Sequence, residues 1–226
     1  VSDADGSTTV ELFSQAGKFS ASPCWSPDGQ RVAFDSNLEG NIHIYVIRAS
    51  GGKPVRLTTD SADDNVPSWS RDGNWIYFTS PRGGRREVWK VPAGGGEAVQ
   101  VTRNGGFAAV ESLDGKFVYY TKGVSEASMA LWRMPVSGGE ESQVLPSVIW
   151  RAFSLVDDGI YFIPDPGADG KYFIQFLSFA TGTVKTVAPI PRPSFYGMTV
   201  SPDRRYLLYT QVDGVGSDLM LVENFR

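Results

Sequence analysis

The sequence predicts an all-β fold assembled from about five copies of a four-stranded unit. Its 226 residues include 25 glycines and 14 prolines, and 12% of them are aromatic. This composition is typical of many tight turns that join short, half-buried strands. No segment keeps the apolar period of about 3.6 residues over the length that a helix requires. The third observation is a repeat, which gives the architecture.

Each repeat begins with two strands joined by a turn that carries an aspartate. The turn aspartates are Asp28, Asp72, Asp114, Asp158 and Asp203. Successive members are 44, 42, 44 and 45 residues apart. A four-stranded propeller blade takes about 40–45 residues. The spacing therefore predicts a β-propeller.

A third apolar strand and then a fourth strand follow each hairpin. The predicted third strands are 42–47, 88–91, 131–136, 173–179 and 219–222, and the predicted fourth strands are 55–58, 99–102, 143–145 and 184–187. Glycines between them, such as Gly51 and Gly138, supply the positive φ that tight hairpins need. We expect one domain over residues 1–226, with repeats at 21–60, 61–104, 105–148, 149–193 and 194–226.

The fifth repeat reaches Arg226 after only three strands, whereas residues 8–15 resemble a fourth strand that has no repeat of its own. Val10 precedes Asp28 by 18 residues, much as Val55 precedes Asp72 by 17. We expect the N-terminal strand to pair with residues 219–225 and complete the last blade, because closure removes exposed sheet edges. The same start and end positions within the repeat also fit a six- or seven-bladed ring that was cut at this point, and this alternative stays open.

The first two repeats carry a more specific pattern. Pro23 and Pro67 each begin the motif Pro-x-Trp-Ser-x-Asp-Gly, and the strand that follows contains Phe-x-Ser. This pattern resembles the TolB-like (WD-like) propeller repeat, strongly in the first two repeats and as a scaffold pattern in the last three. The resemblance implies a fold that binds proteins or small ligands, and it implies a periplasmic location. It also implies that a winged-helix, kinase or hydrolase domain can accompany the propeller in a larger bacterial protein.

Charge and cysteine content limit the class of partner. The formal net charge is -4, so the long-range field repels nucleic acid and anionic membranes. No run approaches the about 18 apolar residues of a membrane helix. The one cysteine, Cys24, cannot form a disulfide within the chain. We expect no nucleic-acid partner, no membrane partner and a monomeric chain.

The sequence offers little for catalysis. The only histidine, His43, lies in a third strand beside Ile42 and Ile44. A Ser-His-Asp or Cys-His arrangement would depend on that one histidine, and nothing in the sequence brings Cys24 or a serine to it. One cysteine and one histidine are too few for a Cys/His zinc site. The motif Gly-x-Ser-x-Gly does not occur. We therefore predict a non-catalytic binding scaffold with no catalytic residue, no metal and no cofactor.

Two enzyme-related alternatives remain. A five-bladed propeller glycosidase would use carboxylates around its channel, and here the candidates are Glu111, Asp63 and Asp64. Glu111 stands where the first two repeats have Trp25 and Trp69. We expect those tryptophans to pack between blades and Glu111 to form an ion pair with a neighbouring blade, because an apolar seam disfavours an unpaired carboxylate.

The other enzyme-related alternative is that the chain is the gating propeller of a prolyl-oligopeptidase-like peptidase.

The candidate binding surface is the loop face at one end of the channel. Its residues are Asp63, Asp64, Asn65, Phe107, Trp150, Arg151, Phe195 and Tyr196 in the loops between blades, and Arg82, Arg85 and Arg86 in a loop within the second blade. Aromatic and arginine side chains dominate interface hot spots. Arginine also binds carboxylates through paired hydrogen bonds. The expected partner is a protein segment or a small acidic ligand.

Overall fold

The computed structural model describes residues 1, 7, 9–125, 128–194, 197–213 and 216–223. Within these ranges all regular secondary structure is β-strand, in nineteen strands. The all-β prediction is confirmed. None of the described segments forms a helix that could cross a bilayer.

The first two sheets are four-stranded meanders. The first sheet contains β1 (Ser20–Trp25), β2 (Arg31–Ser36), β3 (His43–Arg48) and β4 (Val55–Arg56) in that order. The second sheet contains β5 (Asn65–Trp69), β6 (Trp75–Ser80), β7 (Glu87–Pro92) and β8 (Val99–Gln100) in that order. Their neighbouring strands pair antiparallel. The predicted order of strands within a repeat is therefore confirmed.

Two further sheets have four strands, and one has three. The third sheet contains β9 (Phe107–Glu111), β10 (Phe117–Ser125), β11 (Ser128–Pro135) and β12 (Ser142–Val148). The fourth contains β13 (Phe153–Val156), β14 (Gly159–Phe162), β15 (Tyr172–Ser178) and β16 (Val184–Ile190). The last contains β17 (Met198–Val200), β18 (Tyr206–Asp213) and β19 (Gly216–Glu223). The predicted count of about five four-stranded blades is wrong, because the described residues form four.

The predicted closure by residues 8–15 is not shown. Among the described residues, 10–15 form no strand. The amino group of Val1 donates to the Val10 carbonyl at 2.8 Å, and the Val10 N–H donates to the Val1 carbonyl at 2.7 Å. Leu12 and Phe13 pack on the first sheet, where the Phe13 and Phe34 ring centroids are 6.3 Å apart. Thr8 and residues 224–226 lie outside the described residues.

The chain divides into two compact units, Val1–Glu111 and Ser112–Arg226. The prediction of a single domain over residues 1–226 stays a prediction. One core cluster of the first unit lies between its first two sheets and includes Ile44, Ile76 and Phe78, all with essentially no exposed surface. A core cluster of the second unit includes Ala152, Ile163 and Leu207. Each unit is thus held by buried apolar side chains of its own.

Trp69 and Trp25 occupy equivalent positions but differ in burial. The Trp69 indole is 6% exposed, lies 4.6 Å below the Arg31 guanidinium and donates from Nε1 to the Cys24 carbonyl at 3.0 Å. Its predicted packing between blades is confirmed. Trp25 is 47% exposed, so the same prediction is wrong there. Trp69 is covered by the sheet that precedes it, whereas within the first unit no sheet precedes Trp25.

Four of the five aspartate turns share one hydrogen-bonding pattern. In each, a serine hydroxyl donates to the aspartate two residues later, at 2.5 to 2.7 Å, and accepts from the backbone N–H five residues later. The serine–aspartate pairs are Ser26–Asp28, Ser70–Asp72, Ser112–Asp114 and Ser201–Asp203. The remaining hairpin, without such a serine, turns through Asp157 and Asp158 alone. These aspartates form turns, as polar turn residues commonly do.

Candidate functional site

Two of the predicted site residues in the first unit contact each other directly. Arg82 Nη2 donates to both oxygens of the Asp64 carboxylate, at 2.7 and 2.8 Å, and Asp64 has no exposed surface. Arg82 Nε donates to the Ser80 hydroxyl at 3.1 Å. The guanidinium lies 5.2 Å from the Phe78 ring centroid and 4.9 Å from that of Trp89. This ion pair therefore connects the loop before β5 to the loop between β6 and β7.

The run Asp63-Asp64-Asn65 attaches the start of β5 to the first sheet. Asp63 Oδ1 accepts from the Ile42 N–H at 2.9 Å, and the Asp64 N–H donates to the Ile42 carbonyl at 2.8 Å. Asn65 begins β5 opposite Thr79. The Asp63 carboxylate is thus engaged with backbone, although its side chain stays at the exposed surface.

Arg85 is held by a carboxylate that the sequence interpretation missed. Its Nε donates to Glu87 Oε1 at 2.6 Å, and Glu87 is 2% exposed. Glu87 also accepts from the Thr102 hydroxyl at 2.6 Å and from the Gly105 N–H at 3.0 Å. Arg85 and Glu87 are two residues apart, the spacing that puts side chains on one face of an extended segment. That spacing was the signal available in the sequence.

Arg86 and Phe107 also meet. The Arg86 guanidinium lies 5.6 Å from the Phe107 ring centroid. Arg86 is exposed, whereas Phe107 is 5% exposed. The Gly106 N–H donates to the Arg86 carbonyl at 3.1 Å, which sets Phe107 beside the arginine. Phe107 therefore supports the loop, and Arg86 extends from it.

Two other predicted site residues belong to the second unit. Trp150 and Arg151 form the turn before β13, and Trp150 has a φ of 35°. The half-buried Trp150 packs against the apolar cluster that contains Ile149, Ala152 and Ile163. The Arg151 carbonyl accepts from the Phe153 N–H at 2.8 Å. Phe195 and Tyr196 lie outside the described residues.

Glu111 is satisfied by neutral donors in the first unit. It is 6% exposed, and it accepts from the Tyr77 hydroxyl at 3.0 Å and from the Arg71 N–H at 3.3 Å. Burial, and then the Glu111 charge, raise the pKa of Tyr77 well above its usual value. The predicted partner was a cation, but the structure supplies a hydroxyl and an amide instead. Both can stabilise a buried carboxylate.

The described part of the chain contains no group of three or more histidine, cysteine, aspartate or glutamate side chains arranged to hold an ion.

Comparisons with known proteins agree on the fold. TolB from Acinetobacter baumannii superposes with a TM-score of 0.83 at 21% identity, over 99% of this chain and 56% of that one. A protein described as TolB from Agrobacterium tumefaciens superposes with a TM-score of 0.75 at 19% identity, over 93% of this chain and 79% of that one. A structure from a study of two prolyl endopeptidases gives a TM-score of 0.65 at 15% identity, over 92% of this chain and 34% of that one.

The chain thus spans little more than half the length of the Acinetobacter TolB. At these identities the structural likenesses show a common fold alone. No curated protein matches the chain. The TolB beta propeller domain family matches residues 4–192, which is most of the sequence. The chain belongs to the TolB beta propeller domain family.

Proposed function

We propose that this chain is a non-catalytic recognition module that binds an acidic protein segment or a small acidic ligand through its loop face. The observation that carries the proposal is the state of Arg85. Its Nε is fixed by the buried Glu87, yet 58% of its side chain is exposed. The Arg85 guanidinium is thus already oriented for binding in the free protein.

The chemistry of Arg85 favours a carboxylate. Among the described residues, neither of its terminal nitrogens has a hydrogen-bond or ion-pair partner. These nitrogens can donate to two carboxylate oxygens in parallel. Because Glu87 already orders the guanidinium, binding costs less conformational entropy than it would with a mobile side chain. The exposed Arg86 adds a second positive charge one residue along the chain.

The other predicted residues divide into two groups. Asp64, Arg82 and Phe107 are largely buried and stabilise the loops. Asp63 binds the Ile42 N–H, and Asn65 is the first residue of β5. Trp150 and Arg151 form a separate candidate surface in the second unit. Aromatic–arginine pairs of this kind are frequent binding hot spots.

The gating propeller of a peptidase is the second candidate function. It is favoured by the similarity in fold to a structure from the study of two prolyl endopeptidases. A glycosidase-like mechanism is less favoured, since Glu111 is engaged with Tyr77 and Arg71. Family membership supports a binding role more directly than either alternative. We further propose a periplasmic, monomeric protein.

Peptide binding tests the proposal. An acidic peptide rich in glutamate and its glutamine counterpart would be titrated into the chain by calorimetry. We expect the acidic peptide to bind more tightly, and Arg85→Ala and Arg86→Ala each to weaken binding by about tenfold, or about 1.4 kcal/mol. Lys53→Ala is the matched control, because it removes an exposed cation beside the Gly51-Gly52 turn.

Two results would count against this function. One is acidic-peptide binding that is unchanged in Arg85→Ala, Arg86→Ala, Trp150→Ala and Arg151→Ala. The other is turnover of a peptide, ester or glycoside by the purified chain that is lost in Glu111→Gln. Thermal melting of each variant establishes that it is folded before its binding is compared.

A further inference from the structure

A pocket in the first unit lies between its first two sheets. This pocket of about 620 Å³ is bounded by the connection that follows β4, by Trp89 and Val91 of β7 and by the turn between β7 and β8. Ligand pockets in proteins commonly have volumes of about 300–1,000 Å³. The pocket is therefore large enough for a small molecule, and none of the sequence patterns pointed to it.

Positive charge in this pocket is already compensated. Arg82 lines it, but Nη2 of Arg82 is bound to the buried Asp64 and Nε to Ser80. Within the described residues Nη1 has no hydrogen-bond partner, so its N–H groups remain as donors. The guanidinium can therefore donate hydrogen bonds to a ligand oxygen that carries no charge.

Acceptors line the same pocket. Asp60 Oδ1 accepts from the Ala62 N–H at 2.9 Å, while Oδ2 has no partner in the described part of the chain. Glu97 and Thr59 are exposed lining residues, and neither side chain is engaged by another described residue. Two carboxylates at the lining repel an acidic ligand and accept from hydroxyl or amino groups.

The pocket also has an apolar component. Trp89 and Val91 of β7 both belong to its lining; Trp89 is half-buried, whereas Val91 has no exposed surface and packs in the core of the first unit. Alternate residues of a strand point to the same side, which explains why these two share the pocket. The exposed part of Trp89 offers a surface for C–H groups, while Arg82, Asp60, Glu97 and Thr59 offer donors and acceptors.

We propose that this pocket binds a neutral or amine-bearing saccharide of one or two rings. A sugar hydroxyl both donates and accepts, so it can satisfy a carboxylate and a guanidinium in the same pocket. The C–H face of the ring matches the exposed part of Trp89. Acidic sugars are disfavoured by Asp60 and Glu97. The site is independent of the acidic-ligand surface around Arg85 and Arg86.

Nuclear magnetic resonance titration tests the proposal on the full chain. The probes are maltose and glucosamine, with galacturonic acid as the acidic counterpart, and the readout is the Trp89 indole N–H resonance, assigned with Trp89→Phe. We expect saturable shifts with at least one of the first two probes, with a Kd of about 1 mM, or about -4 kcal/mol. Galacturonic acid should bind at least about fivefold more weakly, because of charge repulsion.

Two variants and one control locate the site. Asp60→Asn keeps the Oδ1 acceptor of the turn, and Glu97→Ala removes an exposed side chain, so both should fold while each weakens binding by about threefold to tenfold. Glu140→Ala is the matched control, because Glu140 follows Gly138-Gly139 as Glu97 follows Gly95-Gly96. It should leave the affinity unchanged.

The proposal is overturned by any of three outcomes. These are no shift of the Trp89 indole resonance with maltose or glucosamine up to about 0.1 M, equal affinity in Asp60→Asn, Glu97→Ala and the parent chain, or tighter binding of galacturonic acid than of the other probes. None of these outcomes depends on whether Arg85 and Arg86 bind acidic peptides.

Discussion

The guanidinium of Arg82 and the carboxylate of Asp64 form a hydrogen-bonded ion pair in which Nη2 contacts both oxygens, at 2.7 and 2.8 Å. Asp64 is fully buried, and 13% of the Arg82 side chain is exposed. Both residues belong to the set that the sequence predicted for ligand binding. Their charges instead compensate each other, so Arg85 and Arg86 carry the proposed binding of an acidic partner.

Arg82→Ala should be strongly destabilising. Removing the cation leaves the Asp64 carboxylate buried and unpaired, which costs about 3–5 kcal/mol of the free energy of unfolding. The double variant Asp64→Leu with Arg82→Met should recover most of that loss, because both charges are then absent. Urea unfolding of the two variants and the parent measures the difference. Equal stability of Arg82→Ala and the parent would show that the pair is not important for stability.

Gly159→Ala should disrupt the fourth sheet. A Cβ at this position would overlap the Leu177 carbonyl oxygen and the Phe176 ring. Since both neighbours belong to the paired strand β15, relief requires moving backbone as well as a side chain, and we expect a loss of about 3 kcal/mol or more. Gly94→Ala is the control, because a Cβ there meets nothing within 4 Å. Thermal melting compares the two, and similar melting temperatures would contradict the expected overlap.

His43 should make stability depend on pH. It is 3% exposed, and its Nε2 lies 2.7 Å from Arg56 Nη2. Burial first, and then the Arg56 charge, hold the pKa of His43 below 6.5. As pH falls through about 6.5, the unfolded chain binds a proton that the native chain does not, so the free energy of unfolding decreases. This contribution is absent above that pH, where both states are neutral.

Unfolding in urea between pH 7.5 and 5.5 measures this effect, with a slope of at most about 1.4 kcal/mol per pH unit. The chain has only one histidine, so His43→Gln should remove the pH dependence in this window. A parent chain whose stability is flat over the window, or a His43→Gln chain that keeps the slope, would show that the native state accepts the proton.

Ser70→Ala should raise the pKa of Asp72. The hydrogen bond from the Ser70 hydroxyl is the largest cause that holds the pKa of Asp72 below 3.8, followed by the one from the Asn74 N–H. A carboxyl titration by nuclear magnetic resonance should show the shift. The pKa of Asp169 serves as the control, because that group is held low by Lys171 and not by a serine. An unchanged Asp72 would mean that the Asn74 N–H alone accounts for the lowered pKa.

Local features of the sequence determined much of the architecture. The Ser-x-Asp motif at Ser26, Ser70, Ser112 and Ser201 specifies its turn through hydrogen bonds within six residues. The apolar segments on either side then predicted the strands, and the repeat predicted their order. Interactions of such short range can be read from a sequence because both partners are close along the chain.

Other features depended on contacts between distant segments. Arg82 and Asp64 are 18 residues apart, and their pairing was not predicted from two charged loops. Trp25 and Trp69 share a motif, yet only Trp69 is covered by a preceding sheet. Likewise, the pocket beside Trp89 exists only where the first two sheets approach each other. Burial and charge compensation depend on which surfaces meet in three dimensions, and a pattern that repeats along the chain is the same whether or not its surface is covered.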